Sequence, residues 1–405
     1  MSQQRIRIGI VGAGIAAVSA HLPALAQSED FEIVALCERN SERLAAVARQ
    51  WGIPHTAESI EEFLRVPDLH AVIIATPPES HAPLALACIE AGLHLLVEKP
   101  LAADVPQCEA ILDAARRQGV AVAVNHEKRF HPTLQRIAAL LREGAIGDPW
   151  YCGVHWASTV KLAPDSFIPP EFDEGYRWRW QSRAIGGGIV QDHLPHYVDL
   201  LSQWTRAVPV GAYAHLWNLG RDRLGWETAK SVWEDMGLVL IRFSTGLVLR
   251  LETGVVGRSL SPLWSQGSGI GEWTEYGYLL GTEGQIVFDL LPWDSSENGR
   301  IALWQLERAK REKTGWALVE QAEPSRRHGS PSGAAHAMFG GQIRDFARLL
   351  RGEPAVIATG QDGRMTIAAV EAAYQSAVSR RECPISGELA QLPGKSTILE
   401  PIVEM

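Results

Sequence analysis

The chain has 405 residues, of which 46% are hydrophobic and 21% are charged, a composition typical of a globular protein with a sizeable core. Its 38 Lys and Arg residues against 47 Asp and Glu residues give a net charge of −9, which argues against nucleic acid or an anionic membrane as the main partner. The five cysteines are scattered and include no Cys-x-x-Cys pair. This usage predicts reduced thiols in a cytoplasmic protein, without a disulfide framework or a metal site.

The first apolar run follows Arg5 and Arg7 and superficially resembles a signal peptide. Gly12 and Gly14 would break the helix that such a segment needs, so we interpret the run as a strand, a turn and a helix. No uninterrupted apolar stretch approaches the length of about 20 residues that spans a bilayer. We therefore expect a soluble protein.

Short apolar segments alternate with helical patterns over the first 125 residues. Such alternation predicts right-handed crossovers and a parallel, doubly wound sheet. The predicted strands are Ile6–Val11, Phe31–Leu36, Ala71–Ala75, His94–Val97 and Val120–Val124. The predicted helices are Ala16–Gln27, Ser41–Gln50, Ser59–Leu64, Ser80–Ala91 and Val105–Gln118.

The pattern changes after about residue 125, where one helix, Pro132–Glu143, precedes longer β-rich runs separated by turn signals. The predicted strands are Trp150–Ser158, Ser231–Phe243, Leu247–Val256, Tyr276–Leu280 and Gln285–Leu290, and the predicted helices are Ala334–Arg351 and Gly363–Arg380. We therefore expect an α/β nucleotide-type domain over residues 1–127 and an α+β domain with a mainly antiparallel sheet over residues 128–405.

A glycine fingerprint, Gly12-Ala13-Gly14-Ile15-Ala16-Ala17, joins the first strand to the first helix. The first glycine permits a tight turn, the second lets the backbone approach a pyrophosphate, and the helix N-terminus attracts phosphates. Glu38, 24 positions after Gly14, is expected to bind ribose hydroxyls. Glu38 favours NAD because it repels a 2′-phosphate, whereas the neighbouring Arg39 would attract one, so NADP stays open. A tight turn without a dinucleotide is the alternative.

Glu98-Lys99-Pro100 lies at the predicted carboxyl end of a strand, where doubly wound sheets bind their ligands. Lys99 there can orient a hydroxyl and take part in proton transfer. Taken by itself, the segment is better explained as a surface ion pair at a strand end.

A second polar segment, Asp192-His193-Leu194-Pro195-His196-Tyr197-Val198-Asp199, follows three glycines. In a helix, Asp192 and His196 would share one face, and a histidine suits the base that removes a hydroxyl proton during hydride transfer. Pro195 is expected only in a first helical turn, so Asp192 could instead be an N-cap. His193 is a second candidate base, and a capped helix with a core histidine is the non-catalytic alternative.

Tryptophans cluster near these segments, and the run Tyr176-Arg177-Trp178-Arg179-Trp180 alternates as in an extended strand. Indole rings with charged neighbours suit a carbohydrate pocket, but the same mixture is typical of a packed interface. Asn125, Glu127 and Lys128 follow the fifth strand and should border a nicotinamide, with Glu127 as a candidate second acid.

Together these segments resemble the glucose–fructose oxidoreductase, inositol dehydrogenase and MocA (GFO/IDH/MocA) family over essentially the whole chain. The motifs are the glycine run with His21-Leu22-Pro23-Ala24-Leu25, then Ala75-Thr76-Pro77-Pro78-Glu79-Ser80-His81, Glu98-Lys99-Pro100, Arg129-Phe130-His131-Pro132 and the Asp192 segment. The family pattern Asp-x-Gly-x-His-x-x-Asp is matched by Asp192, His196 and Asp199, while Leu194 replaces its glycine and Pro195 precedes its histidine.

The resemblance implies a Rossmann domain with bound NAD(P), an α+β domain with a large open sheet for substrate and oligomerisation, and hydride transfer at a sugar or polyol hydroxyl. It implies Lys99, His196 and Asp192 as catalytic residues. The expected cofactor contacts are Gly12, Gly14, Ile15, Ala16, Glu38, Arg39, Thr76, Pro77, His81, Glu98, Lys99 and Asn125. The expected substrate contacts are Glu127, Lys128, Trp156, Trp178, Trp180, Asp192, His193 and His196.

The leading functional hypothesis is therefore an NAD(P)-dependent dehydrogenase of a sugar, glycoside or cyclitol, in a homodimer or homotetramer. A glycoside hydrolase that retains NAD, oxidises its sugar transiently, eliminates the aglycone and re-reduces is the alternative, for which the acidic run Asp165, Glu171, Asp173 and Glu174 leaves room. A non-catalytic NAD-binding sensor is a third hypothesis, against which Lys99 and His196 argue, since a sensor needs no proton-transfer pair.

Overall fold

The computed structural model describes residues 4–158, 187–222, 234–254, 273–290, 299–312, 314–321 and 333–385. The expected substrate contacts Trp178 and Trp180, and the acidic run from Asp165 to Glu174, lie outside these ranges. The described chain forms two sheets, one of seven strands and one of nine. No helix in the described ranges is long and apolar enough to cross a membrane.

The first sheet confirms the predicted parallel, doubly wound arrangement. Its spatial order is β15-β6-β5-β4-β1-β2-β3, in which β15 is Ala358–Thr359 and the six strands that come first along the chain pair in parallel. These six are β1 (Ile6–Val11), β2 (Phe31–Cys37), β3 (His55–Ala57), β4 (Ala71–Ile74), β5 (His94–Glu98) and β6 (Val122–Asn125). Sequence patterning missed β3, because it has three residues and two of them are exposed.

The helices of this half are α1 (Leu22–Ala26), α2 (Ser41–Trp51), α3 (Ile60–Phe63), α4 (His81–Glu90) and α5 (Val105–Gln118). Local capping explains several of their ends: Asn40 accepts from the Arg43 N–H at the start of α2, and Asp104 accepts from the Gln107 N–H at the start of α5. The helix predicted from Ala16 to Gln27 is interrupted by a π-helical turn at Ala17–His21, a feature that often occurs at functional sites.

The second sheet confirms the predicted mainly antiparallel arrangement, with the order β14-β13-β12-β11-β7-β10-β9-β8-β16. Only the pair of β7 and β10 is parallel among its described neighbours. The strands are β7 (Pro149–Ser158), β8 (Pro209–Trp217), β9 (Met236–Phe243), β10 (Val248–Gly254), β11 (Trp273–Gly281), β12 (Gly284–Leu290), β13 (Arg300–Gln305), β14 (Trp316–Gln321) and β16 (Cys383–Pro384).

One face of this sheet packs against helices in a core that includes Val154, Leu194 and Leu251. The remaining helices are α6 (Pro132–Arg142), α7 (Ile189–Thr205), α8 (Leu219–Asp222), α9 (Leu306–Arg311), α10 (Gly333–Leu350) and α11 (Gly360–Ser379). Because side chains alternate along a strand, the opposite face presents its own residues, among them the exposed Tyr213 and Val287.

The chain returns to the first sheet near its end. Phe346 of α10 stacks on Phe31 of β2 with 5.9 Å between ring centroids, and β15 (Ala358–Thr359) pairs antiparallel with β6. The apolar face of α10 explains this packing, since it completes the core on that side of the sheet. The boundary between the two domains at residue 127 stays a prediction. That prediction did not include the packing of α10 and β15 against the first sheet.

Candidate functional site

A groove of about 830 Å³ opens at the carboxyl ends of the first sheet's strands, the usual ligand crevice of such sheets. It runs from the glycine turn after β1 to Lys99 after β5. Ten of the sequence-predicted cofactor contacts line it: Gly12, Gly14, Ile15, Ala16, Glu38, Arg39, Thr76, Pro77, Glu98 and Lys99. Its volume is within the range of about 300–1,000 Å³ of small-molecule sites.

The glycines of this turn leave room for a ligand. Gly12 has φ +98°, and a Cβ added there would lie 2.6 Å from the carbonyl oxygen of Ala75, so both its conformation and its packing require glycine. A Cβ added to Gly14 would meet no atom within 4 Å. The backbone at Gly14 is therefore open to the groove, as the approach of a pyrophosphate requires.

Glu38 stands at the end of β2, on the wall of the same groove. Its carboxylate accepts hydrogen bonds from the N–H groups of Ala13 at 2.9 Å and Asn40 at 3.0 Å. These bonds hold the carboxylate beside the glycine turn, where it can accept from a ribose hydroxyl. Arg39 and Arg43 line the groove next to it and bring two cations to the same end.

The two other predicted cofactor contacts, His81 and Asn125, lie behind the groove. The buried ring of His81 has its nitrogens 2.8 Å from the carbonyl oxygens of Pro100 and Thr76, and burial lowers its pKa. Asn125 donates through Nδ2 to the Glu98 carboxylate at 2.6 Å. Both residues therefore position the groove residues rather than line the groove.

Glu98 is also bonded by His21, whose Nε2 lies 2.6 Å from the same carboxylate oxygen. Burial acts to raise the pKa of Glu98, but the hydrogen bond and charge of His21 and the amide of Asn125 outweigh it and lower the pKa. Glu98 therefore stays ionised beside Lys99. Sequence reasoning assigned His21 no role, although its motif was noted, and the π-helical turn is what directs it to Glu98.

Lys99, which follows β5, contacts the site residues on helix α7. Its ammonium forms an ion pair with the carboxylate of Asp192 and donates to the Asp192 carbonyl oxygen at 3.0 Å. The two side chains are 13% and 17% exposed, so the pair is partly shielded from water. The structure thus brings together Lys99 from the first sheet and Asp192 from α7, as the resemblance implied.

Helix α7 begins earlier than its proline suggested. Gly188 occupies the N-cap position and the Val190 N–H donates to Glu234 at 3.0 Å, so the hypothesis of Asp192 as N-cap is wrong. Pro195 lies inside the helix, beyond the first turn where it was expected, and α7 continues through it to Thr205. Asp192 and His196 are consequently one helical turn apart.

His196 is buried, with Nε2 3.9 Å from a carboxylate oxygen of Glu127. Burial, and then the positive charges of Lys99 and Lys128, hold its pKa well below the usual range for histidine. The imidazole is therefore neutral near pH 7, the form that can accept a proton.

The second candidate base, His193, stacks on Trp156 with ring centroids 3.8 Å apart. Its Nδ1 lies 3.1 Å from the carbonyl oxygen of Ile189 and 3.2 Å from Oγ1 of Thr253, and burial lowers its pKa to about 3. Trp156 is 1% exposed, so the structure places this expected substrate contact in the core against His193.

Lys128 faces the same region from the 3₁₀ turn Glu127–Phe130 that follows β6. Its ammonium pairs with the buried carboxylate of Glu275, which also accepts from the Tyr197 hydroxyl. Burial acts to raise the pKa of Glu275, but Lys128 outweighs it and lowers the pKa. Sequence reasoning missed Glu275 and Tyr197, because no local motif marks either residue.

Asp199, the last residue of the matched pattern, belongs to a structural ion pair. Arg129 donates to its two carboxylate oxygens at 2.7 and 2.6 Å, and both side chains are buried. Arg129 also donates to the Val356 carbonyl oxygen at 2.8 Å, and so ties α7 to the returning segment. No cluster of three or more His, Cys, Asp or Glu able to hold a metal occurs within the described ranges.

Two family profiles match the chain: the NAD-binding Rossmann fold of the GFO/IDH/MocA oxidoreductases over residues 6–126, and the GFO/IDH/MocA C-terminal domain over residues 134–286. The chain is 30% identical to a 1,5-anhydro-D-fructose reductase from Ensifer adhaerens and 29% identical to a levoglucosan dehydrogenase from Pseudarthrobacter phenanthrenivorans, over 60% and 62% of its own length. These two alignments cover 67% of each enzyme's length. Alignments with three further curated relatives cover 61%, 52% and 42% of their lengths, so the chain matches only part of those relatives.

Solved structures support the same fold. An oxidoreductase from Agrobacterium radiobacter in complex with NAD+, L-tartaric acid and magnesium superposes with a TM-score of 0.75 at 20% identity, over 94% of this chain and 99% of that one. An aldose-aldose oxidoreductase from Caulobacter crescentus superposes with a TM-score of 0.73 at 21% identity, over 94% and 100%. With both profiles matched in order, the chain belongs to the GFO/IDH/MocA family of oxidoreductases, and its first domain is that family's NAD-binding Rossmann domain.

Proposed function

We propose that this protein transfers a hydride between NAD and a hydroxyl-bearing carbon of a sugar, glycoside or cyclitol. The observation that carries the proposal is the Lys99–Asp192 ion pair at the end of the cofactor groove, beside a neutral His196. The names of the reductase and dehydrogenase relatives support a sugar-type substrate.

The roles of the residues follow from their chemistry. Lys99 and Asp192 would hold the reacting hydroxyl between a donor and an acceptor. His196 would take the hydroxyl proton, because its buried imidazole is neutral. NAD, when bound, supplies the acceptor for the two-electron hydride. In the direction of reduction, the same residues would return the proton to the carbonyl oxygen.

The groove favours NAD through Glu38, whose carboxylate is fixed beside the glycine turn. Arg39 and Arg43 in the same wall provide positive charge that a 2′-phosphate would meet, so we propose NAD as the main cofactor with NADP as a weaker one.

The experiment that tests this proposal measures absorbance at 340 nm while the protein is incubated with a panel of sugars, cyclitols and aryl glycosides and with NAD or NADP. The same samples are assayed for released aglycone. Net NADH formation supports the dehydrogenase, and aglycone release without net NADH would show the redox-neutral hydrolase instead. NADH binding without either reaction would favour the sensor. Lys99→Met is the negative control for both reactions.

We also infer a homo-oligomer formed through the open face of the second sheet. Tyr213 and Val287 are large apolar side chains on this face and are 42% and 39% exposed, so a subunit contact there would remove apolar surface from water. A dimer or tetramer would cover them, and sedimentation velocity would reveal it as a multiple of the chain mass. All five cysteines are free and buried, which agrees with a cytoplasmic location.

A further inference from the structure

The carboxylate of Glu127 is a partly exposed group next to the buried base. It begins the 3₁₀ turn after β6, and its Oε1 is 3.9 Å from Nε2 of His196. The side chain of Glu127 is 17% exposed, whereas that of His196 is 5% exposed. Glu127 therefore connects a shielded imidazole with the solvent side of the site.

His196 needs such a partner. A buried imidazole surrounded by Lys99, Lys128, His126 and His193 cannot keep a second proton, because burial and the positive neighbours disfavour the imidazolium. Lys99 and Lys128 are already paired as cations with Asp192 and Glu275. Among the described residues, Glu127 is the carboxylate that lies within 4 Å of a His196 nitrogen.

We propose that Glu127 passes the substrate proton between Nε2 of His196 and solvent water. The step rests on the proposed function: as the hydride leaves the carbinol carbon for NAD, the hydroxyl proton moves to His196. The Nε2–H bond then breaks as an O–H bond forms on Glu127, which releases the proton to water. Reduction runs the same path in reverse. A separation of 3.9 Å closes to hydrogen-bond length by a side-chain rotation or through one water.

The charges that face Glu127 suit this exchange. Burial raises its pKa to about 7, Lys99 and Lys128 act against that rise, and Glu98 adds to it. His196 faces it from α7. A carboxyl group with this balance takes up and releases a proton near neutral pH, which is what a relay requires.

The test compares Glu127→Gln with Glu252→Gln. Glu252 forms a similar pair with a buried histidine, 3.6 Å from Nδ1 of His155, but on the opposite face of the second sheet. We expect Glu127→Gln to lower kcat about 10- to 100-fold with KM and NADH binding unchanged, and to remove the limb of the kcat–pH profile near pH 7. Glu252→Gln should keep the wild-type kcat and the limb near pH 7. Formate should partly restore kcat in Glu127→Ala, which it could not do if the variant had lost activity through a structural defect.

A second readout does not depend on turnover. The ring signals of His196 in an NMR titration can be assigned by their loss in His196→Asn. They should shift near pH 7 in the wild type and in Glu252→Gln, because the neighbouring Glu127 changes its protonation there, but not in Glu127→Gln. Absence of that shift in the wild type, or a Glu127→Gln variant with wild-type kcat that keeps the limb near pH 7, overturns the relay. A wild type that oxidises nothing in the panel contradicts the proposed function instead, while the titration still decides whether Glu127 and His196 are coupled.

Discussion

Replacement of Lys99 by Met removes the cation that joins the two halves of the site. The ammonium donates to the Asp192 carbonyl oxygen at 3.0 Å and pairs with the Asp192 carboxylate. Breaking a fully buried ion pair costs about 3–5 kcal/mol of folding free energy. Since these side chains are 13% and 17% exposed, water can solvate the remaining carboxylate, and we expect a smaller loss and a folded variant.

The effect on catalysis is larger. A hydrogen bond from a charged donor contributes about 1.5–3 kcal/mol, and each ~1.4 kcal/mol changes a rate about tenfold. Loss of a preorganised donor to a developing oxyanion lowers kcat about 10²- to 10³-fold. We expect a decrease of this size in Lys99→Met, with NADH binding retained because the glycine turn and Glu38 are untouched.

The substitution should also shift the pH profile. After burial, Lys99 contributes most to holding the pKa of His196 down, so removal of its charge raises that pKa. Oxidation needs the neutral imidazole and is lost as pH falls through the pKa of His196. The acid limb of kcat should therefore move to higher pH in Lys99→Met.

The assay is steady-state NADH formation across pH, with NADH binding followed by fluorescence and folding by circular dichroism. Lys99→Met/Asp192→Asn, which also removes the carboxylate that pairs with Lys99, shows how much of the loss of stability comes from the negative charge left behind. A Lys99→Met variant that binds NADH and keeps kcat within about threefold of the wild type would refute the catalytic role of Lys99. Its ammonium would then stabilise the transition state by less than the ~1.4 kcal/mol that corresponds to a tenfold change in rate.

Three further substitutions test other parts of the site. Glu38→Ala removes the carboxylate beside Ala13 and should weaken NAD binding about tenfold or more while NADP binding changes less; an unchanged ratio of the two dissociation constants would contradict the ribose contact. His196→Asn should lower kcat about 10²- to 10⁴-fold and His193→Asn far less, and the reverse order would make His193 the base. Asp199→Ala removes the bidentate partner of Arg129 and leaves Asp362, 3.3 Å from the guanidinium, as a carboxylate partner, so we expect a loss toward the lower end of about 3–5 kcal/mol in urea-induced unfolding, whereas a loss below ~1 kcal/mol would contradict a buried pair.

Local sequence determined the first domain and its groove. Strand-length apolar runs, helix caps and a glycine turn act within a few residues of one another, so their periodicity and chemistry can be recognised in the chain itself. The five strands predicted between Ile6 and Val124, the glycine turn and Glu38 follow from such short-range signals, whereas the full set of groove residues was implied by the family resemblance. The pairing of Lys99 with Asp192 was available only through the family resemblance, because 93 positions separate the two residues.

Tertiary structure decided the partners of the buried charges. His21 meets Glu98 across 77 positions, and Lys128 meets Glu275 across 147, through a π-helical turn and a sheet register that no local pattern specifies. Packing likewise placed Trp156 in the core and returned α10 to the first sheet. Hydrophobic burial is non-directional, so an apolar residue in the sequence predicts that the side chain is buried but not which side chain it contacts. These contacts therefore depend on how the two sheets and their helices pack together.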